Sequence, residues 1–298
     1  MATSIRASST AERPSDLTFR HPLAVLARLR RNKAGMAGLG VLLVMLGAAA
    51  LAGVILPYEP SLADLTAVLS APSLAHPFGT DQLGRDILTR VVYGGRISLL
   101  IGVLSVALSA VIGIPLGLWS GFYRGIPDLV IQRVVDVVLA FPGFLLALTL
   151  ISLLGVGFLN VILSVGIASV PVYVRLVRGV TLSVRELTYV ESARAAGLPD
   201  RTIMVRHVLP NTAAPIIVQS SLQLGAALLV AAGLGFLGLG VAPPTPEWGA
   251  MLGEAQTYLL TTWYMATFPG LAIFLAVMAF NLLGDGLRDA FDPRMKVL

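Results

Sequence analysis

Long uncharged stretches alternate with short polar connections along most of the chain. Residues 34–56 carry no charge, and a helix of that length crosses about 30 Å of hydrocarbon. Ala48-Ala49-Ala50 would suit a signal-peptidase site. A signal h-region is about 7–15 residues, however, and this run is longer, so an uncleaved first span is expected. Further spans are expected at 97–122, 134–154, 160–174, 211–240 and 268–283. Pro142 and Pro171 fall inside the third and fourth and predict kinks. In the second, Gly113, Gly117 and Gly121 put three hydrogen side chains on one helix face, where a neighbouring helix can pack closely. The pattern predicts an all-α polytopic membrane protein with six transmembrane helices.

The polar stretches divide the rest. Residues 1–33 form a tail whose first 20 positions lack apolar periodicity and read as flexible; residues 291–298 form a second tail. The connection 57–95 contains Pro57, Pro60, Pro72 and Pro77, with turns predicted at Gly79 and Gly84. Asp81, Arg85 and Asp86 are close enough there for a local salt-linked knot. With no base or nucleophile nearby, the aspartates are not read as a catalytic pair. In the connection 241–266, Trp248, Trp263 and Tyr264 suit an interfacial aromatic belt.

The connection 179–210 differs from these. Ser183 and Glu186 match a capping box, which predicts a helix start. That helix would run through Leu187, Val190 and Ala193 to Gly197, a residue suited to a left-handed helix end. Pro199 and Asp200 suit the first turn of a second helix. It would carry Ile203, Met204 and Val208 and stop at Pro210. The expectation is a helix, a glycine turn and a helix, set outside the spans.

Composition agrees with a membrane protein. Charged residues are 12% of the chain, against about 25% in soluble domains, and the mean hydropathy is +0.84. The net charge of +5 is a matter of placement and needs no nucleic-acid partner. If the connections alternate sides, only Arg85, Arg90 and Arg96 of the 21 Lys and Arg residues lie opposite the N-terminus. Positive residues favour the cytoplasm, so both termini and residues 179–210 are expected inside. With no cysteine, disulfides and thiol chemistry are excluded, and His21, His76 and His207 are too scattered for a metal cluster. There is no Gly-Lys-Ser/Thr phosphate loop. The spans carry almost no ionisable residues, which argues against a proton-driven carrier. No catalytic residue, cofactor or metal is expected. A secondary carrier or channel is the competing class; its transport would persist without an ATPase.

Glu191-Ser192-Ala193, three residues, Gly197, nine residues and then the four-residue close His207-Val208-Leu209-Pro210 resemble the EAA motif of ABC importer permeases. Ser192 replaces the second alanine of that motif, and His207 an isoleucine. Three other blocks resemble the dipeptide, oligopeptide and nickel permeases. One is Phe78-Gly79-Thr80-Asp81-Gln82-Leu83-Gly84-Arg85-Asp86 with Gly95-Arg96-Ile97-Ser98-Leu99. Another is Phe236-Leu237-Gly238-Leu239-Gly240 with Pro243-Pro244 and Glu247-Trp248-Gly249. The last is Asn281-Leu282-Leu283-Gly284-Asp285-Gly286-Leu287-Arg288-Asp289 with Asp292-Pro293. The extra first span is similar to the DppC/OppC type of subunit.

The resemblance implies a type I ABC importer (MetI-like) permease fold: a five-helix core at 96–290 behind an N-terminal span. It implies a heterodimer with a homologous B-type permease in a bacterial cytoplasmic membrane. Two ABC ATPase subunits would hydrolyse ATP, and an extracytoplasmic binding protein would supply substrate. Glu191, Ser192, Ala193, Arg194, Gly197, Arg201, Leu209 and Pro210 would form the ATPase-coupling loop. Glu191, Arg194 and Arg201 are unranked candidates for the contact itself. The substrate stays open among dipeptides, longer peptides, glutathione and nickel, and no substrate-binding residue is identified.

Overall fold

The computed structural model describes residues 22–291; the expectations for the first 20 residues and for Asp292-Pro293 lie outside them. The described residues are helical, apart from connections and one isolated antiparallel bridge between Thr80 and Asp86. The order is α1 (Pro22–Leu29), α2 (Lys33–Ile55), α3 (Ile87–Tyr123), α4 (Gly125–Leu139), α5 (Gly143–Leu154) and α6 (Phe158–Val184). Then come α7 (Thr188–Ala195), α8 (Asp200–Ile203), α9 (Leu209–Phe236), α10 (Trp248–Ala255) and α11 (Tyr264–Phe291). Five helical spans are long and apolar enough to cross a membrane, or six if the bent pair α4–α5 counts as one.

Contacts between helix ends fix two poles. At the near pole Arg28 donates to the Ala290 carbonyl, and Asn32 donates to Asp289 at 2.8 Å. Arg185 donates to the Phe122 carbonyl there, so the end of α1 and the start of α2 lie with the ends of α3, α6 and α11. At the far pole the Tyr264 hydroxyl donates to the Leu69 carbonyl at 2.8 Å, joining the start of α11 to the connection before α3.

Several spans differ from their sequence-based bounds for local reasons. Helix α3 begins at Ile87, not near residue 97. Asp86 caps it, accepting from the Thr89 backbone N–H at 2.8 Å and the Thr89 hydroxyl at 2.7 Å. The charges in its first turns have partners: Arg90 meets Glu254, and Arg96 reaches the Ala49 and Ala50 carbonyls of α2. The third span is broken rather than kinked. Helices α4 and α5 meet at 89°, with Pro142 capping α5. Helix α6 runs through the buried Pro171 and on to Val184, well past Arg175 and Arg178.

A close seam joins α3 to α6. A Cβ on Gly117 would lie 2.7 Å from the Val174 carbonyl oxygen, and one on Gly121 would lie 2.8 Å from the Arg178 carbonyl oxygen. A Cβ on Gly113 would lie 3.0 Å from the Val170 carbonyl oxygen. Backbone cannot yield as a side-chain tip can, so only hydrogen fits this face. Within a bilayer, such close approach supplies the van der Waals contact that holds helices together.

Candidate functional site

The near-pole loop is built on an apolar plug. Val190, Ala193, Ile203 and Val208 are buried against Leu118 and Phe122 of α3 and Val177 and Val184 of α6. Val190 and Ala193 are three apart, so they share one face of α7. Glu191 and Ser192 face away from the plug and Arg194 flanks it, one turn after Val190; all three are exposed. The Ser192 hydroxyl donates to the Thr188 carbonyl at 2.8 Å. The Arg194 guanidinium lies 5.5 Å from the Phe122 ring centroid, in cation–π range.

Gly197 ends α7 with φ +80°. Its N–H donates to the Arg194 carbonyl at 3.0 Å, and the Leu198 N–H donates to the Ala193 carbonyl at 3.2 Å. This pair of bonds is the Schellman motif, which satisfies the last carbonyls of the helix. Arg201 is exposed on the short α8, Leu209 is half-buried beside the plug, and Pro210 is exposed.

Two expectations for this loop are corrected. Ser183 and Glu186 do not form a capping box. Ser183 lies inside α6, where its hydroxyl donates to the Gly179 carbonyl at 3.3 Å. Glu186 pairs with Arg124 at 2.9 Å and Arg185 at 3.2 Å, and α7 starts at Thr188 with no side-chain cap. Packing overrides the local pattern here: Thr181 lies against Gly121, Val184 joins the plug, and α6 is carried past Ser183.

Pro210 does not stop a helix either. The chain widens into a π turn at Met204–Val208 and continues into α9, with Pro210 in its first turn. Proline has no N–H to offer an upstream carbonyl, and a wider turn shifts the bonding by one residue. Accordingly the Leu209 N–H donates to the Met204 carbonyl. Asn211 donates to the His207 carbonyl at 2.7 Å and to the Tyr189 hydroxyl oxygen at 2.9 Å. The Tyr189 hydroxyl in turn donates to the His207 carbonyl at 3.2 Å. This knot fastens α7 to the root of α9. Burial pushes the Tyr189 phenol above its ordinary range and the Arg185 guanidinium below its own. Sequence reasoning overlooked Tyr189 and Asn211, which sit too far apart in the chain to form a local pattern.

The far pole is also polar in sequence, but its charges are buried. Arg85 Nε lies 2.6 Å from Asp81 Oδ2, and Arg85 Nη2 lies 2.9 Å from Glu254 Oε2. Arg90 closes the ring, 3.2 Å from Glu254 and 3.3 Å from Asp81. Asp86, placed in this knot by sequence, instead caps α3 and accepts from His76 Nδ1 at 3.0 Å. Gly79 and Gly84 turn the chain with φ +78° and +74°.

Trp248 is not an interfacial residue. It is buried over Gly94 and Gly95, and its indole N–H donates to the Val91 carbonyl at 2.7 Å. Tyr264 is buried too, whereas Trp263 is exposed. Beside Trp248, the Glu247 carboxylate caps α10. It accepts from the Gly249 and Ala250 N–H groups, both at 2.8 Å, and from the Ser98 hydroxyl at 3.0 Å. Burial raises its pKa above the ordinary carboxylate value, against the lowering effect of those bonds.

Along α4 two ion pairs reach α6. Arg178 grips Asp128 through both Nε and Nη2, at 2.6 and 2.7 Å, and the Ser120 hydroxyl donates to the same carboxylate. Arg175 meets Asp136 at 2.7 Å, in the open.

Comparison with known proteins places this architecture. Residues 113–297 match the family model for the binding-protein-dependent transport system inner membrane component. Residues 19–76 match the N-terminal TM domain of oligopeptide transport permease C. The chain is 49% identical over 269 residues to a glutathione transport system permease protein GsiD of Pectobacterium atrosepticum, covering 90% of this chain and 89% of the relative. It is 48% identical over 270 residues to the protein of the same name in Escherichia coli, with the same coverage. A chain of the MetNI methionine ABC transporter, solved in inward-facing conformations, superposes with a TM-score of 0.57 at 18% identity. That match covers 69% of this chain and 98% of the other, and it concerns the fold alone.

Proposed function

The chain belongs to the binding-protein-dependent transport system inner membrane components, the permease subunits of ABC importers, and from this premise we propose how it works within one. It pairs with a homologous B-type permease, and the solute path lies between the two. Two ABC ATPases dock on the exposed face of α7 and α8 and carry out all ATP hydrolysis. A binding protein delivers solute at the far pole. The near pole is cytoplasmic, together with both termini. The cargo is a small peptide, and glutathione, named in the relatives, is the first compound to test.

One observation carries this reading. Helix α7 is seated by Val190 and Ala193, presents Glu191, Ser192 and Arg194 outward, and is tied through Tyr189 and Asn211 to the root of α9. A partner that moves α7 therefore moves α9. The Schellman end at Gly197 lets α7 turn into α8 without leaving unpaired carbonyls. When ATP closes the ATPase pair, the docked helices follow it, and the spans shift between inward-facing and outward-facing arrangements.

The test is reconstitution of the importer with Glu191→Lys or Gly197→Pro in this chain. Both should insert in the membrane normally while ATPase docking or uptake falls. Normal uptake with either would refute the coupling role.

A further inference from the structure

The side of α4 turned away from the bundle is apolar except for two charges. Leu129, Val130, Val134 and Val137 are each more than half exposed. Arg133 and Asp136 stand exposed among them. Helix α6 brings Arg175 to the same place, with its Nη2 2.7 Å from Asp136 Oδ1. Both side chains of that pair are about half exposed, at 53% and 49%. Arg133 itself has no hydrogen-bond or ion-pair partner among the described residues. The neighbouring Asp128–Arg178 pair is different. It is bidentate, more sheltered and shared with Ser120, so it clamps α4 to α6 and leaves little for another ligand.

An arginine facing lipid costs about 2.5–3.5 kcal/mol near a helix centre. Exposed among valines and a leucine toward the near-pole end of the span, Arg133 suits a face that meets water or a polar ligand. Two guanidinium groups beside one carboxylate also form a definite chemical pattern. A free carboxylate is taken best by guanidinium, which offers paired N–H donors. An ammonium group is taken by Asp136. A small peptide with free termini carries both.

We propose that Arg133, Arg175 and Asp136 form a transit site on the near-pole half of the solute path, where a peptide-class solute rests its carboxylate and ammonium groups. The site rests on the importer reading above. It is open by construction, so a solute released there can leave.

Because the sequence contains no cysteine, Arg133→Cys adds a single thiol that can be followed on this chain by mass spectrometry. The assembled importer would be treated in inside-out vesicles with an anionic methanethiosulfonate, with and without dialanine or S-methylglutathione. Neither peptide has a free thiol to consume the reagent. The introduced thiol should react, and saturating peptide should slow it by about threefold or more through occupancy. Arg133→Gln should lower peptide uptake about tenfold, as expected for one lost charge-assisted hydrogen bond. An unreactive thiol would overturn the site, since that face would then lie against lipid or the partner permease. So would a reactive but unprotected thiol, or Arg133→Gln with normal uptake. Failure of the unmodified importer to take up either peptide, read separately, would refute the peptide-cargo reading and the site with it.

Discussion

The two poles of this molecule look alike in sequence and are built in opposite ways. Both are polar breaks between apolar spans, and both contain a short helix. At the far pole the polar groups face inward: Asp81, Arg85 and Arg90 are each no more than 3% exposed, and Glu254 joins them into a neutral ring. At the near pole the polar groups of α7 face outward, and an apolar plug holds the helix in place. A buried ion ring is costly to break and gives a unique arrangement. An apolar seat with a polar outer face leaves charge available to a partner. The first is a fixed cap. The second, on the proposed function, is a handle.

The contrast can be tested, beginning with the largest expected effect. Glu254→Ala should remove the carboxylate shared by Arg85 and Arg90 and cost about 3–5 kcal/mol, the usual price of an orphaned buried charge. Loss of folded protein on size-exclusion chromatography and a lower unfolding temperature would register it. A near-neutral result would mean that the ring is not what holds the far pole. Gly117→Val, at the α3–α6 seam that links the poles, should destabilise by about 1–3 kcal/mol through overpacking against backbone. The same thermal assay would read this change.

Gly197→Ala should be milder, about 1–2 kcal/mol, because the space around it is open and only the left-handed conformation is at stake. Hydrogen exchange should rise at α7 and remain unchanged at the far pole. If the far pole loosened as well, the two ends would not be separate units.

Glu247 should introduce a pH dependence confined to the far pole. Its pKa is raised in the folded protein, so between the unfolded value, about 4.3, and the folded one the native state binds more protons. Stability should therefore fall as pH rises through that window, and Glu247→Gln should flatten the slope. A wild-type protein whose melting temperature rose through the same range with no difference in the variant would contradict it. Smallest of all, Glu191→Ala should change stability by no more than about 0.5 kcal/mol, since it lies on an exposed surface. A clear thermal loss would show that the handle is part of the core.

Much of the architecture could be read from local pattern. The uncharged runs marked the spans, and Gly113, Gly117 and Gly121 are spaced for the face that meets α6. The glycine turn at 197 was legible because its conformational demand is local. The far pole was not legible, because its bonds join Arg85 and Arg90 to a carboxylate on α10 and Trp248 to a carbonyl on α3. An aromatic residue between spans reads as interfacial until its binding partner is known. The capping box failed for a related reason: packing of α6 against α3 outlasted the local stop signal. The break between α4 and α5 was half legible, since Pro142 marks its place but gives no angle.

The π turn at Met204–Val208 has a mechanical consequence. It keeps the chain helical across Pro210, so a single column runs unbroken from Asp200 to Phe236. At 1.5 Å per residue that column is about 55 Å long. A rotation of about 10° about its midpoint would carry each end sideways by about 5 Å, roughly the pitch of one helical turn. If α7 couples to a partner as proposed, a stop at Pro210 would place a hinge at the foot of this column and dissipate the movement there.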